Sequence, residues 1–210
     1  MSASAAAAAD ALSRARATAL EELRRRPLSV SWRREVAGTL AVVLGTTALV
    51  VGVGTWFSIV EVERLRDRAV PLLLLVALQA LGVFAAIAPG KAALRWSLGV
   101  LALAAAVAMV TGRGDAASSH TSPFACSTSH IAVDLVPLGL VLFSLRRFSW
   151  TLGRSLLAGV AAAATGAIAG ELSCGRGWSH ALLHHVGAGL LIAVVCVVFS
   201  RARRPETFAP

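Results

Sequence analysis

Thiol and imidazole side chains are concentrated in the second half of this sequence. Cys126 and His130 stand four residues apart, as do His180 and His184, and Cys174 comes shortly before the second pair. Residues at positions i and i+4 share one face of a helix, so each pair could direct two ligand atoms at a single ion. These residue types and spacings indicate a metal site or a redox-active thiol pair.

Two carboxylates fall in the same part of the chain. Glu171 and His185 could complete a metal site with the cysteine and histidine pairs. Asp134 follows His130 by four residues within an apolar segment, where an ionisable side chain is costly and usually has a partner. We expect His130 to be that partner. The alternative is that Asp134 lies shallow enough to stay hydrated.

Motifs of known catalytic chemistry are missing from the sequence. It contains no cysteine pair two residues apart, no phosphate-binding glycine loop and no nucleophile elbow. A haem held between helices requires two histidines at the same depth on two different spans, and the spacing predicts no such pair. Cys196 lies in the last apolar block, where a thiol behaves as a small apolar group. We therefore expect that the protein is not an enzyme. The sequence identifies no cofactor with certainty, and the candidate is a metal ion bound at the Cys/His cluster.

Apolar blocks make up most of the chain. Of its 210 residues, 57% are hydrophobic and 15% are charged, against ~45–50% and ~25% in soluble domains. The net charge of +9 could indicate nucleic-acid binding. The arginines, however, cluster at the ends of the blocks, where membrane proteins carry their cytoplasmic anchors. The composition therefore predicts a protein of the lipid bilayer that does not bind nucleic acid directly.

The blocks predict an all-α fold, a polytopic membrane helix bundle of about six transmembrane helices. Residues 1–35 would form a cytoplasmic tail, residues 36–200 the transmembrane domain and residues 201–210 a second cytoplasmic tail. The fifth span is rich in Ala and Gly, and we interpret its Gly166 and Gly170 as small residues that let two helix backbones approach. The predicted spans are Val36–Phe57, Val70–Ile87, Ala92–Val110, Ser127–Phe143, Leu152–Ala169 and Leu182–Phe199.

The distribution of positive charge places both termini in the cytoplasm. An even number of spans puts the termini on one side, and this orientation gives fifteen Lys and Arg inside against five outside. That asymmetry is typical of the bacterial inner membrane. All five tryptophans fall at or beside span ends, where the headgroup interface lies. The Cys/His cluster then belongs to the periplasmic half.

This location leaves three interpretations of the cysteine pair open. The periplasm is oxidising, so Cys126 and Cys174 could form a structural disulfide if their geometry permits. They could instead act as a redox or ligand sensor. The third interpretation is a permanent metal site shared with the histidines.

The N-terminal tail carries an amphipathic pattern between residues 10 and 26. Leu12, Leu20 and Leu23 fall on one side of a helical wheel, and Pro27 ends the pattern. A lone helix cannot bury such a stripe. We therefore expect the stripe to contact the membrane surface, another part of this chain or a partner protein.

Three stretches resemble a family of six-span negative regulators of extracytoplasmic-function (ECF) sigma factors, the NrsF-type and CarR-like proteins. The first is the tail, ALEELRRRPLSVSWRREVAG, although its linker lacks a Pro-Val pattern. The second is the fourth-span region, CSTSHIAVDLVPLGLVLFSLRR, which begins at Cys126. The third is GAIAGELSCGRGWSHALLHHVGAGLL, in which Cys174 precedes the histidines. Together the likeness covers nearly the whole chain.

The resemblance implies a membrane-bound anti-sigma factor that transduces a signal without catalysis. The tail would hold an ECF sigma factor by docking leucines in a groove, while arginines meet acidic residues or lipid headgroups. Cys126 and Cys174 would take part in sensing a periplasmic stress such as a metal or an oxidant. The residues expected to bind the sigma factor are Leu12, Leu20, Leu23, Arg24, Arg25 and Arg26.

Two other classes of function stay open. A membrane redox or metal-binding protein would use the Cys/His cluster itself, and a haem absorbance band or a stoichiometric metal would favour it. A structural subunit of a larger membrane complex would need neither the cluster nor the tail. Loss of repression on deleting residues 1–30 would exclude the structural subunit.

Overall fold

The computed structural model describes residues 10, 12–18, 21, 32–60, 63–111, 113, 123–146, 148 and 150–202. All regular structure in these ranges is helical. Six helices are long and apolar enough to cross a membrane, which confirms the predicted fold class. The chain divides into two units, residues 1–31 and 32–210.

The six spans, numbered α1 to α6 in chain order, lie close to their predicted positions. The first begins before the apolar block does, because the charged residues Arg33, Arg34 and Glu35 already belong to the helix. A one-turn helix, Arg64–Asp67, precedes the second span. The spans are α1 Trp32–Trp56, α2 Ala69–Ile87, α3 Ala92–Val110, α4 Pro123–Leu145, α5 Leu152–Ser173 and α6 Trp178–Ala202.

The bundle is apolar on its outside. Leu49, Leu73, Leu103 and Leu183, from four different spans, are between 65% and 69% exposed. Such surfaces are favourable where the surrounding solvent is lipid. The structure thus supports a multi-pass membrane protein, and the direction in which it crosses the membrane stays a prediction.

The fifth span occupies the centre of the bundle. α5 contacts each of the other five spans, and 83% of its most apolar stretch is buried. Small residues allow this, since a Cβ atom on Gly159 would lie 2.6 Å from the Cα atom of Ala193 in α6. The central position also explains why the hydropathy of α5 is low for a span. A helix that is enclosed by other helices needs few large apolar side chains to face lipid.

Buried polar side chains join the spans inside the bundle. The Nε2 atom of Gln79 donates to the hydroxyls of Thr47 and Thr165, at 2.8 Å in each case, so that α1, α2 and α5 share one network. Thr39 of α1 and Ser144 of α4 form a further hydroxyl pair at 2.8 Å. In lipid, polar groups must be satisfied internally. These bonds therefore fix how α1 lies against its neighbours.

Successive spans run in opposite directions, so each end of the bundle collects three helix starts and three helix ends. Trp32 and Phe84 meet at one end, with ring centroids 6.1 Å apart. The other end holds Cys126 and Cys174, and we call it the cysteine end. The starts of α2, α4 and α6 and the ends of α1, α3 and α5 lie there.

Candidate thiol and imidazole site

Three possible metal-ligand side chains converge at the cysteine end from three different spans. Cys126 lies in the first turn of α4, Cys174 follows the last residue of α5, and His180 lies in the first turn of α6. Their ligand atoms all lie within 4.8 Å of one another. Residues far apart in the sequence thus form one compact donor set.

Both cysteines of this set are free, half-buried thiols. A disulfide, a redox sensor and a ligand pair all require the two sulfur atoms to lie close together, so these three interpretations stay predictions. Cys196 is different. It is fully buried in α6, where its Cβ atom lies 2.9 Å from the position of a Cβ atom added to Gly159. This close packing accounts for the small side chain at position 196.

A π-helical segment, Ala181–Val186, spaces the histidines of α6. Its wide turn brings residues four and five positions after His180 close to that ring. The centroid of the His180 ring is 4.5 Å from that of His184 and 5.4 Å from that of His185. A regular helix would have aligned His180 with His184 alone. Such segments are rare and occur frequently at functional sites.

Gly166 and Gly170 make room for two imidazole rings against α5. A Cβ atom on Gly166 would overlap the ring of His130, and one on Gly170 would overlap the ring of His185. The expectation that these glycines let two backbones approach is confirmed at Gly166, where the added Cβ atom would also lie 2.8 Å from the carbonyl oxygen of His130. At Gly170 the nearest atoms all belong to the His185 ring. His130 and His185 lie on different spans with ring centroids 5.7 Å apart, so the expectation that no two spans carry histidines at one depth is wrong.

Asp134 is fully buried and is paired with His130. Its Oδ2 atom lies 3.1 Å from Nε2 of His130, and its Oδ1 atom accepts a hydrogen bond from the backbone N–H of Gly166 at 2.6 Å. Asp134 has no exposed surface. The alternative in which it stays hydrated is wrong, because this face of α4 packs against α5.

Glu171 is bound by two arginines that sequence analysis did not single out. Its Oε2 atom accepts from Nε of Arg68 at 2.7 Å, and its Oε1 atom accepts from Nη2 of Arg113. The Glu171 side chain has no exposed surface. Arg68 also donates to the carbonyl oxygen of Met109 at 2.8 Å, and Arg113 to that of Cys174 at 3.1 Å. The three charged side chains tie α2, α3 and α5 together, and Glu171 lies outside the three-ligand set.

A mostly apolar cavity of about 470 Å³ opens beside the cysteines. Residues of α1, α4 and α5 form its walls, and the two cysteines, His130 and His185 line it. The cavity gives a small ligand or reagent space to reach the thiols.

Several buried ring nitrogens around the thiols have no hydrogen-bond partner among the described residues. They are Nε2 of His180, Nδ1 of His130 and both ring nitrogens of His185. In contrast, Nδ1 of His184 lies 2.8 Å from the hydroxyl of Ser127. Buried polar atoms are nearly always satisfied, so this group of nitrogens is a distinctive feature of the site.

The structure describes one of the residues expected to bind a sigma factor. Leu12 lies in a helical segment over residues 12–18 and is 74% exposed. Beside it, Arg14 and Asp10 form an ion pair at 3.1 Å. The role of these residues stays a prediction. The other residues expected to bind it lie outside the described residues: Leu20, Leu23, Arg24, Arg25 and Arg26.

Fold and site together define a multi-pass membrane helix bundle with a thiol and imidazole cluster at one end. The chain is 38% identical over 205 residues to the carotenogenesis protein CarR of Myxococcus xanthus, which covers 95% of this chain and 91% of that protein. The chain therefore belongs to the CarR-like family of six-span membrane proteins. No protein-family model and no solved structure matches it.

Proposed function

We propose that this protein is an anti-sigma factor of the bacterial inner membrane. Its N-terminal tail holds an ECF sigma factor, and a periplasmic stress acting near Cys126 and Cys174 releases it. The similarity to CarR carries this proposal, because it extends over 95% of the chain and so includes tail and bundle together. In this account the protein acts by binding and not by catalysis.

The tail has the features of a docking segment. Residues 1–31 form a unit of their own, and the described helical segment exposes Leu12. A helix this short gains its stability from the surface that it packs against, and amphipathic helices commonly bind in apolar grooves. The three consecutive arginines 24–26 would add attraction to an acidic partner surface.

The bundle supplies a physical connection from the cysteine end to the tail. Cys174 directly follows α5, and the hydroxyl of Thr165 in α5 lies 3.1 Å from that of Thr47 in α1. The first residue of α1, Trp32, is joined through the chain to the tail. A change in the thiol pair that shifts α5 would therefore act on α1, provided that the bundle has two packing arrangements.

A promoter-reporter assay tests the proposal in cells. A strain lacking residues 1–30 should express the sigma-dependent reporter constitutively, because the bundle then holds no sigma factor. A strain lacking residues 203–210 should keep repression and is the matched truncation control. Immunoblots must show equal amounts of both proteins in the membrane. Full repression by the protein without its tail would refute sequestration.

A membrane redox or metal-binding protein is the second candidate. The convergence of Cys126, Cys174 and His180 within 4.8 Å favours it. This candidate would be favoured over the first if the purified protein showed a haem absorbance band or a stoichiometric metal and captured no sigma factor.

A further inference from the structure

The three-ligand set at the cysteine end has the composition of a transition-metal site. Two thiols and one imidazole are the donors that zinc and other thiophilic ions prefer. Around a tetrahedral ion with bonds of about 2.0–2.3 Å, neighbouring ligand atoms lie roughly 3.3–3.8 Å apart. The ligand atoms of Cys126, Cys174 and His180 lie within 4.8 Å of one another. A contraction of about 1 Å would place them around one ion.

A second observation points to a ligand at the same place. His180 is only 9% exposed, and its buried Nε2 atom has no hydrogen-bond partner among the described residues. Leaving such a buried atom without a partner is energetically unfavourable. Coordination of a metal ion would satisfy it.

The neighbouring groups limit which residues can take part. Glu171 has both oxygens engaged by guanidinium groups, and His184 is bonded to Ser127. Asp134 is held by His130 and the backbone of Gly166. His185 has ring nitrogens without a partner among the described residues but lies outside the set of ligand atoms within 4.8 Å of one another, which holds Cys126, Cys174 and His180. With these three protein ligands, the fourth position of a tetrahedral ion is open.

We propose that Cys126, Cys174 and His180 bind one thiophilic divalent ion of the Zn²⁺ class. Binding replaces the two thiol protons, which leave to solvent, with two metal–sulfur bonds, and a neutral imidazole supplies the third. Structural zinc sites use four protein ligands, so a site with three leaves a position that water or another small ligand can fill. The ion would join the ends of α4, α5 and α6. Its regulatory meaning rests on the proposed function, whereas the binding itself does not.

Metal titration of the full-length, reduced protein in detergent tests the site. Co²⁺ is the spectroscopic probe, because thiolate coordination gives it a charge-transfer absorption, and Zn²⁺ is the competitor. We expect one Co²⁺ per chain, displaced by Zn²⁺. Affinity should fall more than about tenfold in Cys126→Ser, Cys174→Ser and His180→Ala. Cys196→Ala and His184→Gln, the matched thiol and imidazole controls, should keep it.

Thiol protection in the unmodified protein gives a readout that does not depend on variants folding. Saturating Zn²⁺ should protect Cys126 and Cys174 from alkylation, and Cys196 serves as the internal control. Absence of both binding and protection, or unchanged affinity in His180→Ala, would overturn the site. Capture of a sigma factor by the same preparation is scored separately. Sigma capture without metal binding refutes only the metal site, and metal binding without sigma capture refutes only the anti-sigma function.

Discussion

Arg68 donates from Nε to the Oε2 atom of Glu171 at 2.7 Å and joins the start of α2 to the last turn of α5. Arg113 occupies the other oxygen of the same buried carboxylate and also donates to the carbonyl oxygen of Cys174. The backbone at Cys174 is therefore held by the arginine that neutralises Glu171. We interpret the three charged side chains as the anchor that fixes one thiol of the site.

Replacing Glu171 by Gln should destabilise the bundle by about 3 kcal/mol, because two largely buried guanidinium groups lose their counter-charge. Denaturant unfolding of the purified protein in detergent, followed by circular dichroism, measures this effect. Glu63→Gln, at an exposed position before α2, is the matched control and should leave stability unchanged. Equal stability of the two variants would show that the anchor contributes nothing.

Alanine at Gly166 or Gly170 should lower the free energy of unfolding by about 1–3 kcal/mol, because the added methyl group displaces a buried imidazole ring. Gly45→Ala and Gly139→Ala are matched controls, since a Cβ atom at either position meets nothing within 4 Å. Thermal unfolding of the four variants separates the two groups. A loss of stability shared by all four would point to a general intolerance of alanine in these helices.

The polar network around Gln79 can be tested with two threonines in the same helix. Thr47 and Thr55 of α1 each donate to the carbonyl oxygen four residues earlier, at 3.0 Å and 2.8 Å. Only Thr47 also bonds to Gln79 and Thr165. Thr47→Val should therefore destabilise the bundle by about 1 kcal/mol. Thr55→Val should leave stability unchanged. Equal losses of stability in the two variants, measured by denaturant titration, would show that the network does not stabilise the bundle.

Mild oxidation should link Cys126 to Cys174 within one chain, because their sulfur atoms lie within 4.8 Å. Cys196, which is fully buried, should stay reduced. Differential alkylation before and after denaturation, read by mass spectrometry of the peptides, reports each cysteine separately. Two thiols that stay reduced, or that link only between chains, would contradict the proximity seen here.

Sequence patterns predicted the six spans because a run of apolar residues is a local property that the bilayer requires. They predicted the pairing of Asp134 with His130 for a similar reason, since both residues lie on one helix face four positions apart. The central position of α5 was less apparent. Its alanines and glycines lower the hydropathy, although they are what allows it to contact every other span.

The missed features all depend on contacts between distant parts of the chain. No local pattern links Glu171 to Arg68 and Arg113. A lone carboxylate near the end of one span, with arginines next to the ends of two other spans, could still have indicated a buried ion pair. The glycines beside His130 and His185 had an ordinary explanation in helix packing. The π-helical turn changed the histidine spacing that a regular helix predicts, and no pattern in the sequence predicts such a turn.

A pull-down from membranes tests the anti-sigma function most directly. Tagged full-length protein and a variant lacking residues 1–30 are solubilised under reducing conditions, and the soluble proteins that they bind are identified by mass spectrometry. The account predicts an ECF sigma factor with the full-length protein and none with the shortened one. A sigma factor recovered equally with both, or with neither, would contradict it.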